Sequence, residues 1–245
     1  MVPDPRQRLI VALDVSSAVA ARKIVAAVGD SVYTYKVGMQ LYTAEGPSVV
    51  RDLVASARKV FLDLKYHDIP TTVERAVREA ALLGVSMLTV HASGGEKMLR
   101  AAAAAARQVN PNLRIIAVTV LTSFEEDDLR QTGVAAKIEN QVIRLAKSAL
   151  NCGCHGIVAS ACEVPALRKQ ISGDFAIVTP GVRPSGSGQD DQARVVTPAE
   201  AIAAGATFIV MGRPITAAGD PAAVAKAVLE EIARQPVYDS EPVRI

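Results

Sequence analysis

The sequence predicts an α/β fold, a (β/α)8 TIM barrel occupying residues 1–245 as one domain, with a short tail from about residue 236. Three observations carry this. Eight short β-branched runs recur along the chain, each near-continuously apolar, as strands covered on both faces require. Stretches with helical spacing separate them, and such alternation builds a parallel sheet. No linker or change in composition divides the 245 residues, and a length of about 250 residues is typical of one such barrel. A doubly wound sheet is the alternative that the same alternation permits.

The strand candidates, in order, are LIVAL (9–13), VYTYKV (32–37), VFLDLK (60–65), MLTV (87–90), RIIAVTV (114–120), GIVAS (156–160), FAIVTP (175–180) and TFIVMG (207–212). Between them, Val50, Leu53, Val54 and Ala57 form one helical stripe. Val73, Ala76, Val77 and Ala80 form a second, and Val142, Leu145, Ala146 and Ala149 a third. The run AAAAAA (101–106) continues a helix opened by Glu96, because alanine has the strongest helix propensity. Thr197 before Pro198 and Asp220 before Pro221 read as N-caps with proline in the first turn, and Gly205 suits the C-terminal turn before the eighth strand.

Hydrophobic residues make up 50% of the chain and charged residues 21%, with no Trp and four Phe, so the core is expected to consist of Ala, Val, Leu and Ile. A net charge of +2 arises from 27 basic and 25 acidic residues without a basic block, which argues against a nucleic-acid partner. No apolar run approaches the roughly 20 residues of a membrane span. The start, MVPDPRQR, lacks the pattern of a signal peptide, so the expected location is cytoplasmic. Cys152 and Cys154 are too close for an easy bridge, and reduced thiols are expected. CGCH (152–155) lacks the second Cys or His pair that would complete about four zinc ligands, so no metal site is expected.

In such a barrel, active sites form at the C-terminal ends of the strands. Polar residues collect there. Asp14 follows strand one, Lys36 ends strand two, Asp63 and Lys65 end strand three, His91 follows strand four, and Thr122 and Ser123 follow strand five. Arg183 follows strand seven and Arg213 strand eight. Side chains two apart on a strand share a face, so Asp63 and Lys65 should both enter the barrel mouth near Lys36. Asp68 lies on the following loop, where that period gives no position. A lysine between carboxylates keeps its proton, each attraction being roughly 4 kcal/mol at about 4 Å and an effective dielectric of about 20. Lys65 is therefore expected to act as an acid, whereas an imine-forming lysine needs the opposite environment.

Barrels often bind phosphate with the loops after strands seven and eight. GVRPSGSGQDDQ (181–192) and MGRP (211–214) occupy those places, with Arg183, Gln192 and Arg213 as side-chain donors and glycines that admit an anion to backbone amides. Neither SGSG nor HASGGEK (91–97) matches a nucleoside-triphosphate loop.

The ordered motifs LDV (13–15), KVG (36–38), DLKYHDIPTT (63–72), HASGG (91–95), VTVLTS (118–123), TPGVRP (179–184) and VMGRPIT (210–216) closely resemble the orotidine 5'-phosphate decarboxylase family in its short bacterial form. The resemblance covers all but the tail PVYDSEPVRI (236–245). It implies decarboxylation of orotidine 5'-phosphate to UMP and carbon dioxide in pyrimidine biosynthesis, without metal or cofactor. It also implies a homodimer. By the same resemblance, Lys65 matches the proton donor to pyrimidine C6, Asp63 the carboxylate beside the leaving group, and Asp68 the carboxylate supplied by the partner subunit. Asp14 and Lys36 match ribose contacts, Lys36 also joining the charged array, and Thr72 belongs to the ribose-binding segment. Thr122, with Ser123 adjacent, matches the pyrimidine contact, while Arg183, Gln192, Gly212 and Arg213 match the phosphate grip; the 181–192 loop is the natural lid. Two rivals remain: a magnesium-dependent barrel enzyme acting on a sugar phosphate, and a silent phosphate-binding scaffold.

Overall fold

Each of the eight apolar runs forms a strand: β1 Leu9–Ala12, β2 Thr34–Gly38, β3 Lys59–Tyr66, β4 Met87–His91, β5 Arg114–Val118, β6 Gly156–Val158, β7 Ala176–Thr179 and β8 Phe208–Met211. The structure, a computed structural model, describes residues 4–184 and 196–235. Neighbouring strands pair in parallel in sequence order, and β8 pairs with β1 to close the barrel. The chain is thus a (β/α)8 barrel, not a doubly wound open sheet.

Alternation along the strands divides the apolar residues into two layers. Ile10, Ala12, Phe61, Met87, Ile116, Ala176, Val178 and Val210 form a cluster drawn from strands alone, which fills the barrel lumen. Their neighbours Val11, Val60, Leu62, Leu88, Ile115, Ile177 and Ile209 face outward and join the larger cluster with the helices. Phe61 is 2% exposed, and fully burying a side chain of that size contributes about 1.5–3 kcal/mol.

The helical stripes pack as expected. Val73, Val77 and Ala80 are buried on helix Pro70–Leu82, and Val142, Ala146 and Ala149 on helix Ile138–Asn151. Helix Gly95–Val109 contains the whole alanine run. Thr197 and Asp220 cap their helices through side-chain oxygens, and Gly205 adopts φ 108°, where a β-carbon would be strained. Several boundaries move by a residue or more, two with a visible local cause. Helix Ser48–Ala55 ends before Ala57, which turns into the left-handed region at φ 59°. Strand β5 stops at Val118; the Thr119 hydroxyl donates to the Val158 carbonyl at 2.9 Å as the chain leaves the ladder.

Cys152 and Cys154 are buried and Cys162 is exposed, all three as free thiols. Burial pushes the Cys154 thiol up to about 12, so it packs as a small neutral group. His155 is structural: its Nδ1 accepts the Ile115 amide at 3.1 Å, and burial holds its ring below the usual histidine range. No described helix is long and apolar enough to cross a membrane.

Candidate active site

Three adjacent strand ends bring the charges together. Ala12 pairs with Lys36, and Lys36 with Phe61, so Lys36 sits in the lumen layer directly above apolar side chains. One step higher, Gly38 pairs with Asp63. Asp63 Oδ1 accepts from Lys65 Nζ at 2.9 Å, and its Oδ2 lies 3.9 Å from Lys36 Nζ. Lys36 Nζ in turn donates to Asp14 Oδ1 at 2.7 Å. The result is a continuous chain of alternating charge, Asp14–Lys36–Asp63–Lys65. The side chains of Lys36, Asp63 and Lys65 are 12%, 14% and 25% exposed, against 57% for Asp14. The inner three are therefore shielded from water, which weakens screening and leaves them dependent on one another.

Within one chain, among the described residues, Lys36 is bracketed by two carboxylates, Asp14 and Asp63, and Lys65 pairs with Asp63. Asp68 is exposed on its loop and accepts the amide of Ile69 at 2.7 Å.

The period of two also needs a local amendment. Between β3 and β4 the register runs Leu62 to Leu88 and then Tyr66 to Val90, so Asp63, Leu64 and Lys65 stand opposite the single residue Thr89. Such a bulge re-aims side chains. Lys65 takes φ 51°, a left-handed conformation uncommon for a residue with a β-carbon. Thr89, fully buried, closes the gap with its hydroxyl, accepting the Lys65 amide at 2.8 Å and donating to Asp63 Oδ1 at 3.0 Å. In the sequence Thr89 stands within an apolar run, MLTV (87–90). The signal available was its register, since Met87, Thr89 and His91 share the lumen face of β4.

Gly38 has a similar bearing on the array. A β-carbon there would stand 2.9 Å from Lys36 Nζ and 3.3 Å from Asp14 Oδ1, inside the space the ion pair occupies. His67 and His91 form a tilted ring pair at 5.3 Å. Burial, then the neighbouring His67 and Lys65, hold His91 below the usual histidine range.

The remaining predicted residues lie on the same rim. Thr72 is exposed in the first turn of helix Pro70–Leu82, and Thr122 and Ser123 are exposed in the turn after β5. None of the three makes a hydrogen bond to the charged array among the described residues. After β7, Arg183 is buried and its amide donates to the Val196 carbonyl at 3.1 Å. Arg213 is exposed after the adjacent β8. A β-carbon on Gly212 would lie 3.7 Å from Asp14 Oδ2, so this end of the mouth adjoins the array. Gln192, most of the 181–192 loop and the tail from residue 236 lie outside the described residues.

Residues 7–228 match the Orotidine 5'-phosphate decarboxylase / HUMPS family. The chain belongs to that family. It is 48% identical over 233 residues to the orotidine 5'-phosphate decarboxylase of Moorella thermoacetica, covering 93% of this chain and 92% of that protein. Identity to the Anaeromyxobacter dehalogenans protein of the same name is 49% over 224 residues, covering 91% of this chain and 97% of the other. A crystal structure of orotidine 5'-phosphate decarboxylase from Lactobacillus acidophilus superposes with a TM-score of 0.83 at 38% identity, covering 92% of this chain and 99% of that one. Family members carrying that name are carboxy-lyases, and the chain is an enzyme of this kind.

Proposed function

We propose that the chain converts orotidine 5'-phosphate to UMP and carbon dioxide by direct decarboxylation, with Lys65 protonating C6. The observation that carries this reading is the Lys65 amine held 2.9 Å from Asp63 on a bulged strand end at the barrel mouth. The bond from C6 to the carboxylate breaks, carbon dioxide departs, and the electron pair stays on C6. Lys65 donates a proton to that carbon and becomes a neutral amine, which solvent reprotonates. A cation fixed beside the developing carbanion stabilises it before neutralising it, and these are the contributions an active site can supply without a cofactor. Asp63 stands beside the departing carboxylate, where repulsion raises the substrate's energy. Asp14 and Lys36 hold the ribose with Thr72, while Thr122 and Ser123 face the pyrimidine. Arg183, Gln192, Gly212 and Arg213 grip the phosphate. Binding energy from the phosphate, remote from the reacting bond, holds the base against the array.

The active unit in this reading is a homodimer in which the partner subunit's Asp68 supplies the second carboxylate at Lys65. The exposed position of Asp68 supports it, as do the exposed apolar residues Met39, at the end of β2, and Ile69, on the loop after β3. Mixing inactive Asp68→Ala and Lys65→Ala proteins should restore activity through mixed dimers that contain one intact site, and verified heterodimers without activity would contradict it.

The overall reading is tested by an ultraviolet assay of orotidine 5'-phosphate consumption with a chelator present. Full activity is the expected result. Loss of activity restored by magnesium would favour the sugar-phosphate rival instead, and UMP binding without carbon dioxide release would favour the silent scaffold.

A further inference from the structure

The β3–β4 ladder is interrupted where the chemistry begins, and one side chain substitutes for the missing backbone pairing. Three residues of β3, Asp63, Leu64 and Lys65, face Thr89 alone. A ladder in this place would have given the Lys65 amide a carbonyl partner. Instead it donates to the Thr89 hydroxyl at 2.8 Å, and the same hydroxyl passes its own proton to Asp63 Oδ1 at 3.0 Å. Asp63 Oδ1 is also the atom that receives Lys65 Nζ, at 2.9 Å. The three contacts close a small ring through both members of the ion pair. Thr89 is 0% exposed, so water cannot readily replace its hydroxyl, and a buried group deprived of its partner stays unpaired.

We propose that Thr89 is a positioning residue that fixes the left-handed backbone of Lys65 and the carboxylate orientation of Asp63 together, so that the amine is aimed before substrate arrives. This rests on the proton-donor role given to Lys65 above. A hydroxyl is the group required, because one atom must accept from the amide and donate to the carboxylate. Valine matches threonine in shape and can do neither. Without the hydroxyl, Lys65 relaxes towards the more populated φ region, and its amine leaves the line to C6. Misplacing a reacting group by about 1 Å can cost about a hundredfold in rate.

The test compares the wild type with Thr89→Val, and Thr89→Ser with Thr89→Ala, each pair differing by the hydroxyl. Both hydroxyl-free variants should lose about tenfold to a hundredfold in kcat. KM for orotidine 5'-phosphate and affinity for UMP should stay within about twofold, since neither contact touches ligand, and Thr89→Ser should retain most of the activity. A wild type that releases no carbon dioxide would sink the proposed reaction itself. An active wild type with an equally active Thr89→Val would overturn the positioning role alone. So would a loss confined to KM, or a loss of Thr89→Ser activity equal to that of Thr89→Ala. If both hydroxyl-free proteins failed to fold while Thr89→Ser folded, the role would be structural and the proposal wrong.

Discussion

The two halves of β3 obey different rules. Val60, Phe61 and Leu62 pair in register with β2, and both Phe61 and Leu62 pair with β4; all three are buried and apolar. From Asp63 to Lys65 the pairing with β4 lapses, resuming at Tyr66; Lys65 enters a strained backbone region, and charged side chains turn into the mouth. The first half holds the barrel closed, while the second relies on Thr89 and neighbouring charges to keep a shape that a plain ladder would not give. On the proposed mechanism, stability and chemistry are separated along a single strand, and cutting either half should damage one without the other.

The largest expected effect breaks the second half. Lys65→Ala should lower kcat by about ten-thousand-fold or more, since it removes both a cation and a proton donor, while the melting temperature stays close to wild type. Steady-state kinetics with calorimetry measures both. Phe61→Ala breaks the first half. It should cost about 3–5 kcal/mol of stability in denaturant unfolding, with the folded fraction keeping its turnover.

Gly38→Ala sharpens the comparison from the neighbouring strand. Gly38 has φ −93°, so alanine brings no backbone strain, yet its β-carbon would meet Lys36 Nζ at 2.9 Å. Lys36 must swing from Asp14, and activity should fall about tenfold at nearly unchanged melting temperature. The smallest effect concerns a rim group outside β3. Burial pushes the Glu163 carboxyl up to about 7 from an ordinary 4.5. Below about pH 4.5 its contribution to stability is fully present, and it is lost as pH rises through about 7. Glu163→Gln should therefore gain about 1 kcal/mol on the wild type between pH 5 and pH 8, an amount discounted for partial exposure and measurable by unfolding at the two pH values.

How much of this was legible follows the same division. The eight strands could be read because each is an apolar run whose burial is a local property, and the caps Thr197 and Asp220 because capping is decided within four residues. Asp63 and Lys65 were placed in the mouth by a period of two that the bulge distorts without sending either side chain away. What could not be read depends on register between distant segments. The bulge, the φ of Lys65 and the bridging hydroxyl of Thr89 arise only when residues 63–65 meet residue 89. The same holds for Lys36, whose place between Asp14 and Asp63 requires three strands in alignment. Asp68 was legible as a charge but not as a neighbour: within one chain it is exposed and accepts the amide of Ile69, with no ion pair to the array among the described residues.

The central claim is that the Lys65 amine is already aimed at the carbon that loses carbon dioxide. A crystal structure with UMP bound tests it most directly. The account predicts Lys65 Nζ within about 3.5 Å of pyrimidine C6, still paired with Asp63. An amine turned towards solvent, with another side chain occupying the space beside C6, would contradict it.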